Sequence, residues 1–263
     1  MPTANVNGLG IEYDDSGAGV PVVFVPDFAG SMEWFRYQAS GLSDHCRVIR
    51  CDLRGAPLRG AYSVELHADD IAALLRTVRV HSAVIVGVGF GGMIGVQFAY
   101  SHENLCAGLV LAGSAPSFAR MSEDEVMATL APDRIATTHP VTSFLRRVLR
   151  IRPTVEQDYG DDARAFLARS NAGLDHRTLR ARLRLMRNND MSELLQSISV
   201  PSLVVVGSRE APQVLAGSQL LDEALPNSRL EVIEDADHFG FFLRHDLFNE
   251  ILMDFLTHRI KSL

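Results

Sequence analysis

Residues 83–100, AVIVGVGFGGMIGVQFAY, contain the feature that most narrows the fold of this chain. They lie within a stretch from Ser82 to Ser101 that has no charged residue and is almost long enough to span a bilayer. Glycines at positions 87, 89, 91, 92 and 95 interrupt that stretch. Such an interrupted run is typical of a buried strand, a tight turn and a buried helix. We therefore expect an internal strand–turn–helix unit and no membrane span.

Other short apolar runs recur along the chain and predict further strands that are buried on both faces. The predicted strands are Val22–Val25, Arg47–Cys51, Ala83–Val86, Leu109–Leu111, Leu203–Val206 and Leu230–Ile233. Helical patterns lie between them, at Asp69–Val78, Gly91–Tyr100 and Asn249–His258. This alternation predicts an α/β fold, in which helices cover both faces of a mostly parallel sheet.

The alternation stops between residues 115 and 195, where the pattern is helical and strand signals are absent. We interpret this segment as a helical cap or lid, inserted into a core made of residues 1–114 and 196–263. Within it, residues 178–187 have an apolar stripe of Leu179, Leu183 and Met186 beside arginines on another face. Residues 146–187 hold 11 Arg against five acidic residues, so the rest of the chain, with a total charge of -7, carries -13. A basic lid above an acidic body could steer an anionic or carrier-bound substrate to the site.

Composition excludes several other classes of protein. A net charge of -7 argues against nucleic-acid binding, which requires a basic footprint. Cys46, Cys51 and Cys106 are too few and too irregularly spaced for a disulfide framework or a metal site. The N-terminus has no cationic start followed by an apolar run, so no secretory signal is visible, and we expect a cytoplasmic protein that has no membrane partner. These patterns leave the oligomeric state open.

The turn at Gly87 fits two motifs. Residues 87–92 satisfy G-x-G-x-x-G, the dinucleotide-binding fingerprint. That motif normally follows the first strand of its domain and needs an acidic residue about 20 positions later, and neither condition holds here. We therefore expect no nicotinamide or flavin cofactor. The second motif is G-x-S-x-G, the nucleophile elbow, which residues 87–91 fit except at the centre, where Gly89 stands.

At this turn the chain resembles the α/β-hydrolase superfamily, and the resemblance covers nearly the whole length. The matching segments follow the order of that family. They are GVPVVFV at 19–25, DLRG at 52–55, GVGFG at 87–91, ISVPSLVVVG at 198–207 and DADHF at 235–239. The resemblance implies an α/β-hydrolase fold, a cap where the helical insertion lies, and the chain order nucleophile, acid, histidine.

Residue by residue, the resemblance assigns His238 as the catalytic histidine and Glu210 as the acid that orients it. The nucleophile-elbow position holds Gly89, which cannot form an acyl-enzyme. Glycine enters the strained elbow conformation freely. We expect that the missing side chain opens space beside His238 for a water or a substrate atom.

The oxyanion loop also departs from the family, because Pro26-Asp27 replaces the usual His-Gly. The backbone N–H groups of Phe28 and Phe90 are the expected oxyanion donors. A carboxylate at Asp27 would oppose a developing oxyanion unless it points away or is protonated. Ser114 is expected to line the pocket, and no residues are expected to hold a metal.

Three functions remain open from the sequence. In the first, the chain is an enzyme that acts on a small ester-, lactone- or carbonyl-containing molecule through His238 and Glu210. It would use elimination, cyclisation, isomerisation or direct water attack, as in a lyase, without an acyl-enzyme. In the second, it is a non-catalytic pseudo-hydrolase that binds a ligand or partner. In the third, it is a serine hydrolase with an engineered Ser-to-Gly change at residue 89.

Overall fold

A computed structural model of the chain describes residues 1–129, 166 and 174–260. Within these residues the strands form one eight-stranded sheet with the order β1-β2-β4-β3-β5-β6-β7-β8. The strands are β1 Thr3–Val6, β2 Leu9–Ser16, β3 Pro21–Val25, β4 Arg47–Cys51, β5 Ala83–Val88, β6 Cys106–Ala112, β7 Ser202–Gly207 and β8 Leu230–Ile233. β1 and β2 are antiparallel to their neighbours, and the pairs from β4 to β8 are parallel. The predicted α/β-hydrolase architecture is confirmed.

Helices cover the sheet where the apolar patterns predicted them. The α-helices are α1 Arg36–Leu42, α2 Val64–Thr77, α3 Phe90–Ser101, α4 Glu123–Thr129, α5 His176–Asn188, α6 Ser192–Leu195, α7 Pro212–Ala224, α8 Gly240–Leu243 and α9 His245–Arg259. Helix α2 packs beside α3, and α1 packs beside α9. Helix α3 has almost no polar face, because every residue from Phe90 to Ala99 is buried. In the part of the chain that is described, no helix is both long enough and apolar enough to cross a membrane.

The parallel register brings four chain segments together at one edge of the sheet. Val25 at the end of β3 pairs with Gly87 in β5, and Gly87 pairs with Leu111 in β6. Ala112, at the end of β6, pairs with Val205 in β7. The residues that follow these strands therefore meet at the carboxyl edge of the sheet, where open α/β sheets bind ligands.

The predicted cap is described at residue 166 and at its two ends. Helices α4, α5 and α6 lie there, with an isolated bridge between Ser117 and Asp190. Residues 130–165 and 167–173 lie outside the described residues, and with them most of the predicted Arg-rich segment. The division into a core and a cap therefore stays a prediction.

Candidate active site

Gly89 forms the sharp turn between β5 and α3. Its φ of 51° and ψ of -112° lie in a region that residues with a side chain enter only with strain. The backbone is held on both sides, since Gly89 N–H donates to Ala112 O at 3.1 Å and Gly92 N–H donates to Gly89 O at 3.0 Å. The turn thus has the predicted elbow conformation, with glycine at its apex.

Asp27, directly after β3 and Pro26, points into the site. Its Oδ1 accepts the backbone N–H of Phe28 at 2.7 Å and that of Phe90 at 2.6 Å. These are the two donors that the sequence assigned to the oxyanion hole. The Asp27 side chain is fully buried, at the N-terminus of α3, where the helix dipole stabilises an anion. A carboxylate of the protein itself therefore occupies the hole.

The same carboxylate fills the space beside Gly89. A Cβ atom built on Gly89 would lie 2.6 Å from Asp27 Oδ2 and closer still to Oδ1 and Cγ, well inside van der Waals contact. The expectation of open space for a water or substrate atom next to Gly89 is therefore wrong. Because Asp27 and Phe28 lie on the neighbouring strand's loop, the sequence alone did not reveal that this side chain turns inward.

His238 lies between two carboxylates. Its Nδ1 is 3.1 Å from Glu210 Oε2, and its Nε2 is 3.1 Å from Asp27 Oδ2. Glu210 follows β7 in a turn closed by its own N–H to Gly207 O, and His238 lies between β8 and α8. Both residues are 5% exposed. The structure thus joins the predicted His238 and Glu210, and it adds Asp27 on the opposite side of the ring.

This arrangement favours the charged form of the histidine. Burial alone disfavours an imidazolium, but the charges and hydrogen bonds of Glu210 and Asp27 outweigh it and raise the pKa of His238 well above its usual value of 6.5. At neutral pH the ring therefore carries two protons and donates to both carboxylates. In this state His238 can act as an acid but not as a base.

Gly113, which the sequence analysis did not single out, makes room for the His–Glu pair. It directly follows β6 with a φ of 50°, and a Cβ there would lie 3.0 Å from His238 Nδ1 and 3.1 Å from Glu210 Oε2. Its position directly after a buried strand, in Ala112-Gly113-Ser114, was the available signal.

Arg182 is a second residue that sequence reasoning missed. It comes from α5, and its guanidinium donates to Phe28 O at 3.1 Å, Leu53 O at 2.8 Å and Arg54 O at 3.1 Å. The residue is 2% exposed. It therefore ties the end of the predicted cap to the loop that carries Asp27. The signal was its place between Leu179 and Met186, on the apolar stripe of the helix.

Ser114 and Asp52 have supporting roles. Ser114 Oγ donates to Ala112 O at 2.9 Å and to Gly89 O at 3.4 Å, so its hydroxyl is bound to the backbone under the turn. Asp52 accepts the N–H of Met32 at 2.7 Å and secures that loop. Among the described residues, no cluster of three or more His, Cys, Asp or Glu is placed to hold a metal ion.

Comparison with known protein families identifies the family of the chain. A family model for the α/β hydrolase fold matches residues 20–244. The chain belongs to the α/β-hydrolase-fold family. Among curated relatives, this family member is 30% identical over 228 residues to a pimeloyl-[acyl-carrier protein] methyl ester esterase of Aeromonas hydrophila, covering 82% of this chain and 87% of the relative.

Solved structures share the fold of this chain. The enol-lactonase from Burkholderia xenovorans LB400 superposes with a TM-score of 0.83 at 24% identity, over 98% of this chain and all of that one. Est816, described as an N-acyl homoserine lactone degrading enzyme, superposes with a TM-score of 0.78 at 26% identity, over 97% of this chain and 100% of its own.

Proposed function

We propose that this α/β-hydrolase-fold chain is an enzyme that transforms a small ester-, lactone- or carbonyl-containing molecule by acid–base chemistry, without an acyl-enzyme. The observation that carries the proposal is the position of the Asp27 carboxylate. It accepts hydrogen bonds from both expected oxyanion donors and leaves no room for a side chain at Gly89. A serine mechanism requires both of those places, one for the attacking oxygen and one for the developing oxyanion.

His238 is the central group of the proposed reaction. Held as an imidazolium by Glu210 and Asp27, it can give a proton to a leaving oxygen as bonds break. Among the described residues at the site, the Ser114 hydroxyl is not free to act as a nucleophile, because it donates to backbone oxygens. The three cysteines are buried, and burial raises the pKa of the Cys106 thiol to about 12.

The substrate class follows from the relatives. The Aeromonas hydrophila relative acts on a methyl ester attached to an acyl carrier protein, and Est816 degrades an acylated lactone. We extend the class of small esters and lactones, free or carrier-bound, to this chain. Exposed Arg180 and Arg184 on α5 would favour an anionic substrate or an acidic carrier.

The steric conflict at residue 89 also bears on the third sequence-based alternative. A serine hydrolase altered only by a Ser-to-Gly change would place its original side chain into the Asp27 carboxylate. The local structure is therefore suited to glycine at this position. The non-catalytic alternative is favoured by one observation, the 5% exposure of His238, and the following experiment separates it from the enzyme.

The test is turnover of a panel of small esters, enol lactones and β-hydroxy or β-acyloxy carbonyl compounds. We compare the unaltered chain with His238→Gln, Glu210→Gln and a matched control, His258→Gln, whose side chain is 68% exposed. We expect about 10²–10⁴-fold loss for His238→Gln, a smaller loss for Glu210→Gln and no change for the control. A His238→Gln variant with full activity would contradict the proposal, and absence of turnover across the panel would favour the binding protein.

A further inference from the structure

Three donors from the described residues reach the Asp27 carboxylate. An ionised carboxylate offers about four lone-pair positions, two on each oxygen. Two N–H groups, from Phe28 and Phe90, use Oδ1, and the Nε2–H of His238 uses one position on Oδ2. Among the described residues no other donor reaches Asp27. Oδ2, which lies 3.1 Å from Nε2 of His238, therefore keeps one position at which it can accept a proton.

We propose that Asp27 is the catalytic base of the site and His238 its acid, so that the pair removes one proton from the substrate and delivers another. This inference rests on the proposed function and narrows it to elimination. The substrate class is a carbonyl compound with a hydrogen on the adjacent carbon and an oxygen leaving group, hydroxyl or acyloxy, on the next carbon.

The step balances without a cofactor. Asp27 Oδ2 takes the proton from the carbon next to the carbonyl, and the electron pair of that C–H bond becomes the C=C bond. The bond from the second carbon to oxygen breaks, its pair goes to the oxygen, and the Nε2 proton of His238 is transferred to that oxygen. The products are the unsaturated carbonyl compound and either water, from a hydroxyl leaving group, or a carboxylic acid, from an acyloxy leaving group.

The contact between Asp27 and His238 also returns both groups to their starting protonation states. After product release Asp27 holds the proton and His238 is neutral, and the 3.1 Å contact from Oδ2 to Nε2 allows that proton to pass back to the ring. Glu210 remains on Nδ1 throughout and fixes the ring orientation. The two N–H donors on Oδ1 fix the carboxylate in turn, so both groups are positioned before substrate arrives.

A probe that reports proton removal directly is 5-nitrobenzisoxazole. A base takes its C–H proton, the N–O bond breaks, and the coloured 2-cyano-4-nitrophenolate forms. We compare the unaltered chain with Asp27→Asn, which keeps the size of the side chain but removes its basicity. The control is Asp246→Asn, which changes a carboxylate whose side chain is 96% exposed. We expect about 10²–10⁴-fold loss for Asp27→Asn and no change for the control.

A second variant separates chemistry from structure. Asp27→Gly leaves the N–H groups of Phe28 and Phe90 unoccupied, so that added formate can bind there and supply the missing base. We expect formate to restore probe turnover of Asp27→Gly in a saturable way and to leave Asp27→Asn, whose site stays filled, unchanged.

An unaltered chain no faster than Asp27→Asn would overturn the proposal, as would a folded Asp27→Gly variant that formate does not activate. If either result is found while His238→Gln loses turnover of the ester panel, the role of Asp27 is rejected and the proposed function stands. Full panel activity in His238→Gln would instead reject the proposed function.

Discussion

The Asp27 carboxylate lies where a side chain on Gly89 would have to lie. The two residues are 62 positions apart in the chain and come from neighbouring strands, β3 and β5, whose parallel register brings their ends together. Gly89 lacks a side chain, and the Asp27 carboxylate fills the space beside it and accepts hydrogen bonds from the N–H groups of Phe28 and Phe90. Gly89 and Asp27 therefore act together: the carboxylate of Asp27 lies beside the position at which the family motif has a serine hydroxyl.

Gly89→Ala should destabilise the protein strongly. The new methyl group collides with the Asp27 carboxylate, and the backbone conformation is itself strained for alanine, which together cost about 2–5 kcal/mol. Gly8→Ala is the matched control, because Gly8 also has a positive φ, 81°, but has no atom within 4 Å of its Cβ position. Urea unfolding of both variants measures the difference. Equal losses would mean that Asp27 does not occupy this space.

The sequence predicted the sheet well because its central strands are buried on both faces. Arg47–Cys51 and Leu230–Ile233 were predicted with the observed bounds, and the remaining predicted strands lie inside longer ones. The antiparallel pair β1 and β2 was missed. Leu9–Ser16 carries Glu12, Asp14 and Asp15 and is mostly exposed or half-buried, so it has no apolar run to mark it.

The motifs named several residues of the candidate site but did not predict their arrangement. His238, Glu210, Gly89, Phe28 and Phe90 followed from family motifs, and the structure brings all of them together. The motifs could not show that the Asp27 side chain points into the site, because its direction depends on the hydrogen-bond donors that follow the neighbouring strands. Arg182 was missed for a related reason, since a buried arginine is stabilised by carbonyl groups from distant loops.

Arg182→Met should loosen the loop that carries Asp27. The change leaves the carbonyl groups of Phe28, Leu53 and Arg54 without this donor in a buried place, at a cost of about 1–3 kcal/mol in the free energy of unfolding. The control is Arg184→Met on the exposed side of the same helix, with a change of about 0.5 kcal/mol or less. Chemical denaturation of both variants is the measurement. A larger loss for Arg184→Met would contradict the assigned role.

The charge of His238 predicts a pH dependence of stability. Its pKa is raised in the folded protein, so between about pH 6.5 and the folded value the native state holds a proton that the unfolded chain has released. The resulting stabilisation is complete below pH 6.5 and is lost as pH rises, at up to about 1.4 kcal/mol per pH unit. Urea unfolding at pH 7, 8 and 9 should therefore show a steeper decline for the unaltered chain than for His238→Gln. Parallel declines would show that His238 is neutral in the folded state.

The most direct test of the account is the mass of the intact protein after incubation with a fluorophosphonate, which forms a covalent adduct with an activated serine. We expect no adduct on the unaltered chain, because no nucleophile stands at Gly89 and Asp27 occupies the oxyanion hole. The double variant Asp27→Gly/Gly89→Ser, which clears the hole and restores a hydroxyl beside His238, should be labelled and is the positive control. A stoichiometric adduct on a serine of the unaltered chain, lost in His238→Gln, would contradict the account.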